Sequence, residues 1–158
     1  MTITTRVRYE PHGLLALEPS AYGASFEARE ELKPPTGPIA VLPIRGPLMQ
    51  HADECFESYE TILVGAAMLL SHKPRALVLA ISSPGGLVAG CFECAEQLRT
   101  MAAAAKVPLV AYVDGQACSA AYALACSASR IIAPATADVG SIGVIGVLSD
   151  ATKQAAMM

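Results

Sequence analysis

Charge is scarce in this chain: only 16% of its 158 residues are Asp, Glu, Lys or Arg, and the balance is slightly acidic, at −3. A basic face for nucleic acid is therefore excluded as the main business of the molecule. Long unbroken apolar runs are also missing. The most apolar stretch, Val107 to Ala128, is interrupted by Asp114, Gly115, Gln116 and two serines, so no transmembrane helix is expected. The amino terminus, MTITTRVRYEPHGLLALEP, has early arginines but no apolar block or small-residue cleavage site after them. No signal peptide is expected, and the expected compartment is the cytoplasm. Cysteine occurs five times. Cys91 and Cys94 form a C-x-x-C pair with no second pair, and a structural metal usually takes four ligands. The expectation is free, mostly buried thiols, no metal and no cofactor.

What the chain has in excess is apolar residues, at 53%. That is rich for a single soluble domain and implies apolar surface covered by a partner chain. The length suits one domain with a sizeable core. Residues 1–36 are polar and mixed, and they end in the stiff KPPTGP. They read as a variable arm and linker with a short helix near Ser25 to Leu32, ahead of a domain over 37–158.

From Ile39 onward strands and helices alternate. IAVLPIRG is a strand ending at Gly46, and Asp53 to Lys73 is a helix. RALVLAI (75–81) is a strand, SSPGG (82–86) a tight turn, and residues 87–106 a second helix. PLVAYV (108–113) is a third strand, Asp114 to Ser119 a second turn, and the following Ala-rich run a third helix. RIIAP is a short strand, and GSIGVIGVLS is Gly-rich and β-prone. This order implies βαβ units, hence an α/β fold with a mostly parallel sheet and flanking helices. The strands are apolar throughout, which predicts a sheet covered on both faces. Ligands in such folds bind at the carboxyl ends of strands. Two segments occupy that place: 82–86 and 114–119.

In the first, Pro84 fixes its own φ, while Gly85 and Gly86 leave backbone N–H groups uncovered. With a helix beginning near Leu87, these amides could bind a developing negative charge. In the second, Ser119 stands where a strand passes into a helix. It is either the helix N-cap or a nucleophile, with the Ala120 N–H as a further oxyanion donor.

VLPIRGPL, AISSPGGLVAG, VDGQACSAAYALA and RIIAPATADVGSIGVIG occur in this order over about residues 39–150. Together they resemble the signal peptide peptidase A family of serine proteases, peptidase family S49, especially its short phage and prophage members. The resemblance implies a ClpP/crotonase fold, a nucleophile at Ser119 and oxyanion donors at Gly85 and Gly86. It places Ser141, Ile142 and Gly143 on the substrate cleft. It implies an endopeptidase acting on a peptide or protein, with phage procapsid proteins as one substrate class and ring-like homo-oligomers as the assembly. The family commonly has Gly where this chain has Ala120.

The family pairs its serine with a lysine some tens of residues beyond the GSIGV strand, in a segment this chain does not have. Only Lys153 follows Ser141, and it comes early. Lys73 and Lys106 lie at the wrong ends of their helices, Lys33 is in the arm, and His12, His51 and His72 all precede Ser119. The domain is thus expected to be incomplete at its carboxyl terminus, with the base coming from a neighbouring subunit or not at all. Cys118, beside Ser119, reads as core packing, and Asp114 and Asp138 as turn residues. Two other functions compete: a non-catalytic assembly or scaffold protein, and a crotonase-like acyl-CoA enzyme.

Overall fold

The computed structural model describes residues 15–17, 37–51 and 57–144. Its centre is a parallel sheet of β2 (Ile39–Arg45), β5 (Ala76–Ser83), β7 (Leu109–Cys118) and β8 (Arg130–Ile132), in that order. A further strand, β9 (Asp138–Gly140), pairs with the carboxyl half of β7, while β8 pairs with its amino half. A smaller sheet in the order β1-β6-β3-β4 is built from β1 (Leu15–Leu17), β6 (Gly85–Leu87), β3 (Leu48–Met49) and β4 (Glu57–Ser58). The helices are α1 (Tyr59–Ser71), α2 (Cys91–Ala105) and α3 (Ala120–Ala125).

Local chemistry sets the ends of these elements. Ser58 caps α1: its Oγ accepts from the Thr61 N–H (3.1 Å), and Thr61 Oγ1 accepts from the Ser58 N–H (3.2 Å). This reciprocal box satisfies two otherwise orphan donors. Pro43 is tolerated within β2 because that strand is at the sheet edge, where a missing N–H costs no ladder bond. Gly90, at φ +87, turns the chain into α2, and a side chain there would press on the Tyr59 ring at 3.0 Å.

The core lies between the sheet and the helices. Leu42, Ile44, Leu77, Leu79, Ile81 and Val113 meet Ile62, Leu69, Leu98 and Leu124. Each of these side chains contributes roughly 1.5–3 kcal/mol by leaving water.

The expectation of a sheet covered on both faces is corrected here. Burial alternates strictly along β5, and in β2 the residues between the buried ones include Ile39 and Val41, 53% and 50% exposed. Tyr112, on β7, is 41% exposed. Apolar composition hid the period of two because both faces carry apolar side chains, and among the described residues the face of Ile39, Val41 and Tyr112 is open to solvent.

Both expected turns are corrected as well. β5 runs through Ser83, and Gly85–Leu87 is a strand of the second sheet rather than part of a turn. Consequently α2 begins at Cys91, not near Leu87. β7 continues to Cys118, past a register shift between Ile81/Val113 and Ser83/Ala117. This bulge absorbs Asp114–Gln116, with Gly115 at φ +99. Asp114 is therefore an exposed strand residue. The first helix is shorter than expected, since Glu57–Ser58 are a strand. The GSIGV segment enters β9 only at its first glycine. The expected helix at 25–32 lies outside the described residues, and within the expected arm Leu15–Leu17 form a strand.

Candidate active site

Parallel pairing brings the two motif segments together. Ser83 lies opposite Ala117 in the β5–β7 ladder. Two residues further along, one strand has reached Gly85 and the other Ser119. On the other edge of β7, Cys118 lies opposite Gly140. Three strand ends thus converge on Ser119.

The backbone of Ser119 is at φ 53, ψ −114. This matches the first central position of a type II′ turn, where glycine is the usual occupant. A non-glycine residue in such a region costs on the order of 1–3 kcal/mol and persists only when its surroundings hold it there. Here they do. The Ser119 N–H donates to the Gly140 carbonyl (2.7 Å), and its own carbonyl accepts from the Ala123 N–H (3.0 Å). Its Oγ makes no capping bond to α3 and donates instead to the Gly143 carbonyl (3.1 Å). Ser119 thus stands at the N-cap position of α3 without lending its side chain to the cap. The residue is 8% exposed.

The 140–143 segment therefore grips Ser119 at two points. Ser141 is itself at φ 49, and Ile142 is 82% exposed. Of the residues expected to line the cleft, Gly143 touches the nucleophile candidate, while Ser141 and Ile142 present themselves to solvent.

The oxyanion candidates differ from one another. The Gly85 N–H donates to Ser83 Oγ (3.2 Å), a fully buried hydroxyl. This short Ser-turn across Pro84 fixes how the chain leaves β5. A Cβ on Gly86 would fall 1.9 Å from the Leu48 carbonyl oxygen, so β3 and β6 approach at a distance only glycine permits. Ala120 is the first residue of α3, and its carbonyl accepts from Cys91 Sγ (3.6 Å). β6 packs against α3, which keeps Gly86 and Ala120 in one neighbourhood.

Sequence reasoning missed Tyr59. Its hydroxyl donates to the Leu87 carbonyl (2.5 Å) and so anchors β6 to α1. Burial raises its pKa above the ordinary value, with the neighbouring Cys91 and Cys94 adding to the effect. A tyrosine at a helix start gives no such signal in sequence. The two cysteines are buried on α2, and Cys94 Sγ donates to the Tyr59 carbonyl (3.8 Å). Burial pushes the Cys94 thiol up to about 12 and raises Cys91 as well. Both are neutral thiols serving as weak donors. Cys118 is buried, with Sγ donating to the Asp138 carbonyl (3.8 Å).

Lys73 and Lys106 are exposed just past the ends of α1 and α2, where β5 and β7 begin. His72 caps the same end of α1. All three are at the opposite end of the sheet from Ser119. His51 is exposed after β3, with Nδ1 3.0 Å from the Glu60 carboxylate. His12, Lys33 and Lys153 lie outside the described residues.

The profile of peptidase family S49 matches residues 101–156. The head–tail preconnector protein of Enterobacteria phage P21 is 31% identical over 146 residues, covering 89% of this chain and 28% of that protein. A probable protease SohB of Buchnera aphidicola (subsp. Schizaphis graminum) is 34% identical over 73% of this chain and 32% of its own length. The capsid assembly protease C of Escherichia phage lambda is 32% identical over 68% and 25% respectively. The chain thus spans between a quarter and a third of the length of these curated relatives.

Among solved structures, a membrane-bound stomatin-specific protease in complex with a substrate peptide superposes with a TM-score of 0.51. It is 17% identical and covers 66% of this chain and 44% of that one. That likeness shows a shared, ClpP-like fold. Sequence motifs, strand topology and relatives converge: the chain belongs to peptidase family S49.

Proposed function

We propose that the chain carries the nucleophile half of a serine endopeptidase site. Ser119 Oγ attacks the scissile carbonyl, forming an acyl-enzyme as the amine leaves, and water then releases the acyl group. The observation that carries this reading is the strained backbone of Ser119, held by Gly140, with an Oγ that gives α3 no capping bond. The N–H groups of Gly86 and Ala120 stabilise the oxyanion. The amide following the nucleophile is the usual donor at a strand-to-helix elbow. Gly85 supports the site indirectly in this reading, since its N–H is engaged by Ser83.

A serine hydroxyl is a weak nucleophile without a base, and the Gly143 carbonyl can align its proton but cannot take it. The base in this reading is a lysine that reaches Oγ from outside the described residues, on this chain or on a neighbouring subunit. Substrates are proteins taken as extended segments. The phage preconnector and capsid assembly protease among the relatives support capsid-protein processing within a procapsid. Self-association is part of the proposal, and the half-open sheet face at Ile39, Val41 and Tyr112 supports it.

The test is hydrolysis of an unfolded protein such as casein by the full chain, with Ser119→Ala alongside. Cleavage abolished in the variant, with its thermal unfolding preserved, is the expected result. Equal cleavage by both proteins would remove Ser119 from the mechanism.

A further inference from the structure

β6 has two edges. One is paired with β3, through Leu48 opposite Gly86. The other is covered by β1, which runs antiparallel: Leu15 opposite Leu87, Ala16 opposite Gly86, Leu17 opposite Gly85. The covering strand is only three residues long, and Ile39, where the main sheet begins, is 22 positions beyond Leu17. Everything else in the pairing belongs to the site. Gly85 and Gly86 are the residues that follow β5 at the level of Ser119, and β6 packs on α3 directly after Ser119.

An exposed strand edge binds extended peptides by adding a strand, with main-chain hydrogen bonds supplying affinity. On the page, that edge already has an added strand, and it is the chain's own. We infer that Leu15–Leu17, seated on the edge of β6 away from β3, is a displaceable internal pseudosubstrate, the resting occupant of the edge along which this site takes peptide. The inference rests on the reading of Ser119 as part of a peptidase site. It adds the chemistry of the preferred ligand: an extended, aliphatic segment of Leu-Ala-Leu type, bound antiparallel to Gly85–Leu87.

Magnitudes favour displacement over permanent closure. Three residue pairs form a marginal strand. An occupant tethered on the same chain acts at an effective concentration of roughly 1 mM. A peptide of intrinsic Kd about 0.1 mM would then be held off about tenfold in the resting chain, and admitted freely once the segment is detached.

The experiment uses the full chain in three forms: wild type, Ala16→Pro, and the double variant Leu15→Pro/Leu17→Pro. Proline removes a ladder N–H. In an antiparallel pair only alternate residues face the partner, so the two variants cover both possibilities. Each is made in the Ser119→Ala background for binding and with Ser119 intact for labelling. The probe is a fluorescein-labelled peptide of residues 13–20, GLLALEPS, followed by fluorescence polarisation. Amide hydrogen exchange over residues 84–88 is followed in parallel.

The expected result is binding about tenfold tighter in at least one proline form, with faster exchange over 84–88 in that form. Equal affinity in all three forms, or no binding to any, would overturn the inference. So would failure of both variants to fold, because a detachable occupant is not needed for the core. Fluorophosphonate labelling of Ser119 separates this inference from the reading beneath it. Gated peptide binding without an adduct would sink only the nucleophile. An adduct with binding indifferent to the proline changes would sink only the pseudosubstrate.

Discussion

The segments after β5 and β7 reach the same place by different means. At Ser83 to Leu87 the chain passes from one sheet to another: Gly86 answers to space, since the Leu48 backbone occupies the place a Cβ would take, while Gly85 answers to angle at φ +103. At Gly115 to Ser119 the chain stays in one sheet, and its demands are on dihedral angle. Gly115 is at φ +99 with nothing closer than Ser82 Oγ at 3.7 Å, and Ser119 takes a glycine-like φ while keeping its hydroxyl. The difference teaches where glycine is replaceable. A steric requirement admits no side chain at all, whereas a dihedral requirement can be met by a residue whose side chain is needed. Of these positions Ser119 alone pairs a glycine-like φ with a side-chain hydroxyl.

That contrast can be broken by substitution. Gly86→Ala has the largest expected effect on stability, because two backbones must separate. The cost is on the order of 3 kcal/mol, read as a lowered denaturation midpoint, together with loss of whatever activity the site has. A wild-type midpoint would contradict the steric account. Gly115→Ala meets no clash, its Cβ lying 3.7 Å from Ser82 Oγ, but has the wrong dihedral, and is expected to cost about 1–2 kcal/mol. Chemical denaturation of the two variants side by side ranks space above angle.

At Ser119 the sharper comparison is between two variants that both lack the hydroxyl. Ser119→Gly is expected to be more stable than Ser119→Ala by about 1 kcal/mol, since only glycine is relaxed at φ 53. Equal stabilities would show that the backbone there carries no strain.

The two segments are also tied together through α2. Cys91 Sγ donates to the Ala120 carbonyl, Cys94 Sγ to the Tyr59 carbonyl, and the Tyr59 hydroxyl to Leu87. All three groups have raised pKa values in the folded protein, Cys94 to about 12 from 9.0. Between those values the unfolded chain has released the Cys94 proton while the folded chain still holds it. Stability is therefore complete below pH 9 and is lost progressively as pH rises from there toward 12. A pH series of thermal midpoints checks this, with Cys94→Ala flattening the alkaline limb. An unchanged slope in that variant would assign the loss to other groups.

Much of this was readable from sequence. The alternation of apolar runs with Ala-rich helices gives the parallel sheet, and Pro84-Gly85-Gly86 with Ser119 marks the strand ends. The rest was hidden for physical reasons. Glycine pairs signal turns in general, so the strand at Gly85–Leu87 was read as a loop: its partners Leu48 and Ala16 are distant in sequence. The extension of β7 past Asp-Gly depends on a bulge that its neighbour β5 imposes. Tyr59 acts through a carbonyl that no residue pattern announces.

The central proposal is that Ser119 acts as a nucleophile and does not merely stand at the N-cap of α3. Intact-mass analysis after exposure to a fluorophosphonate probe tests it most directly, on wild type and Ser119→Ala in parallel. The account predicts a single adduct on the wild-type chain that is absent from the variant. A folded wild-type chain that takes up no probe, or a variant labelled as readily as wild type, would contradict it.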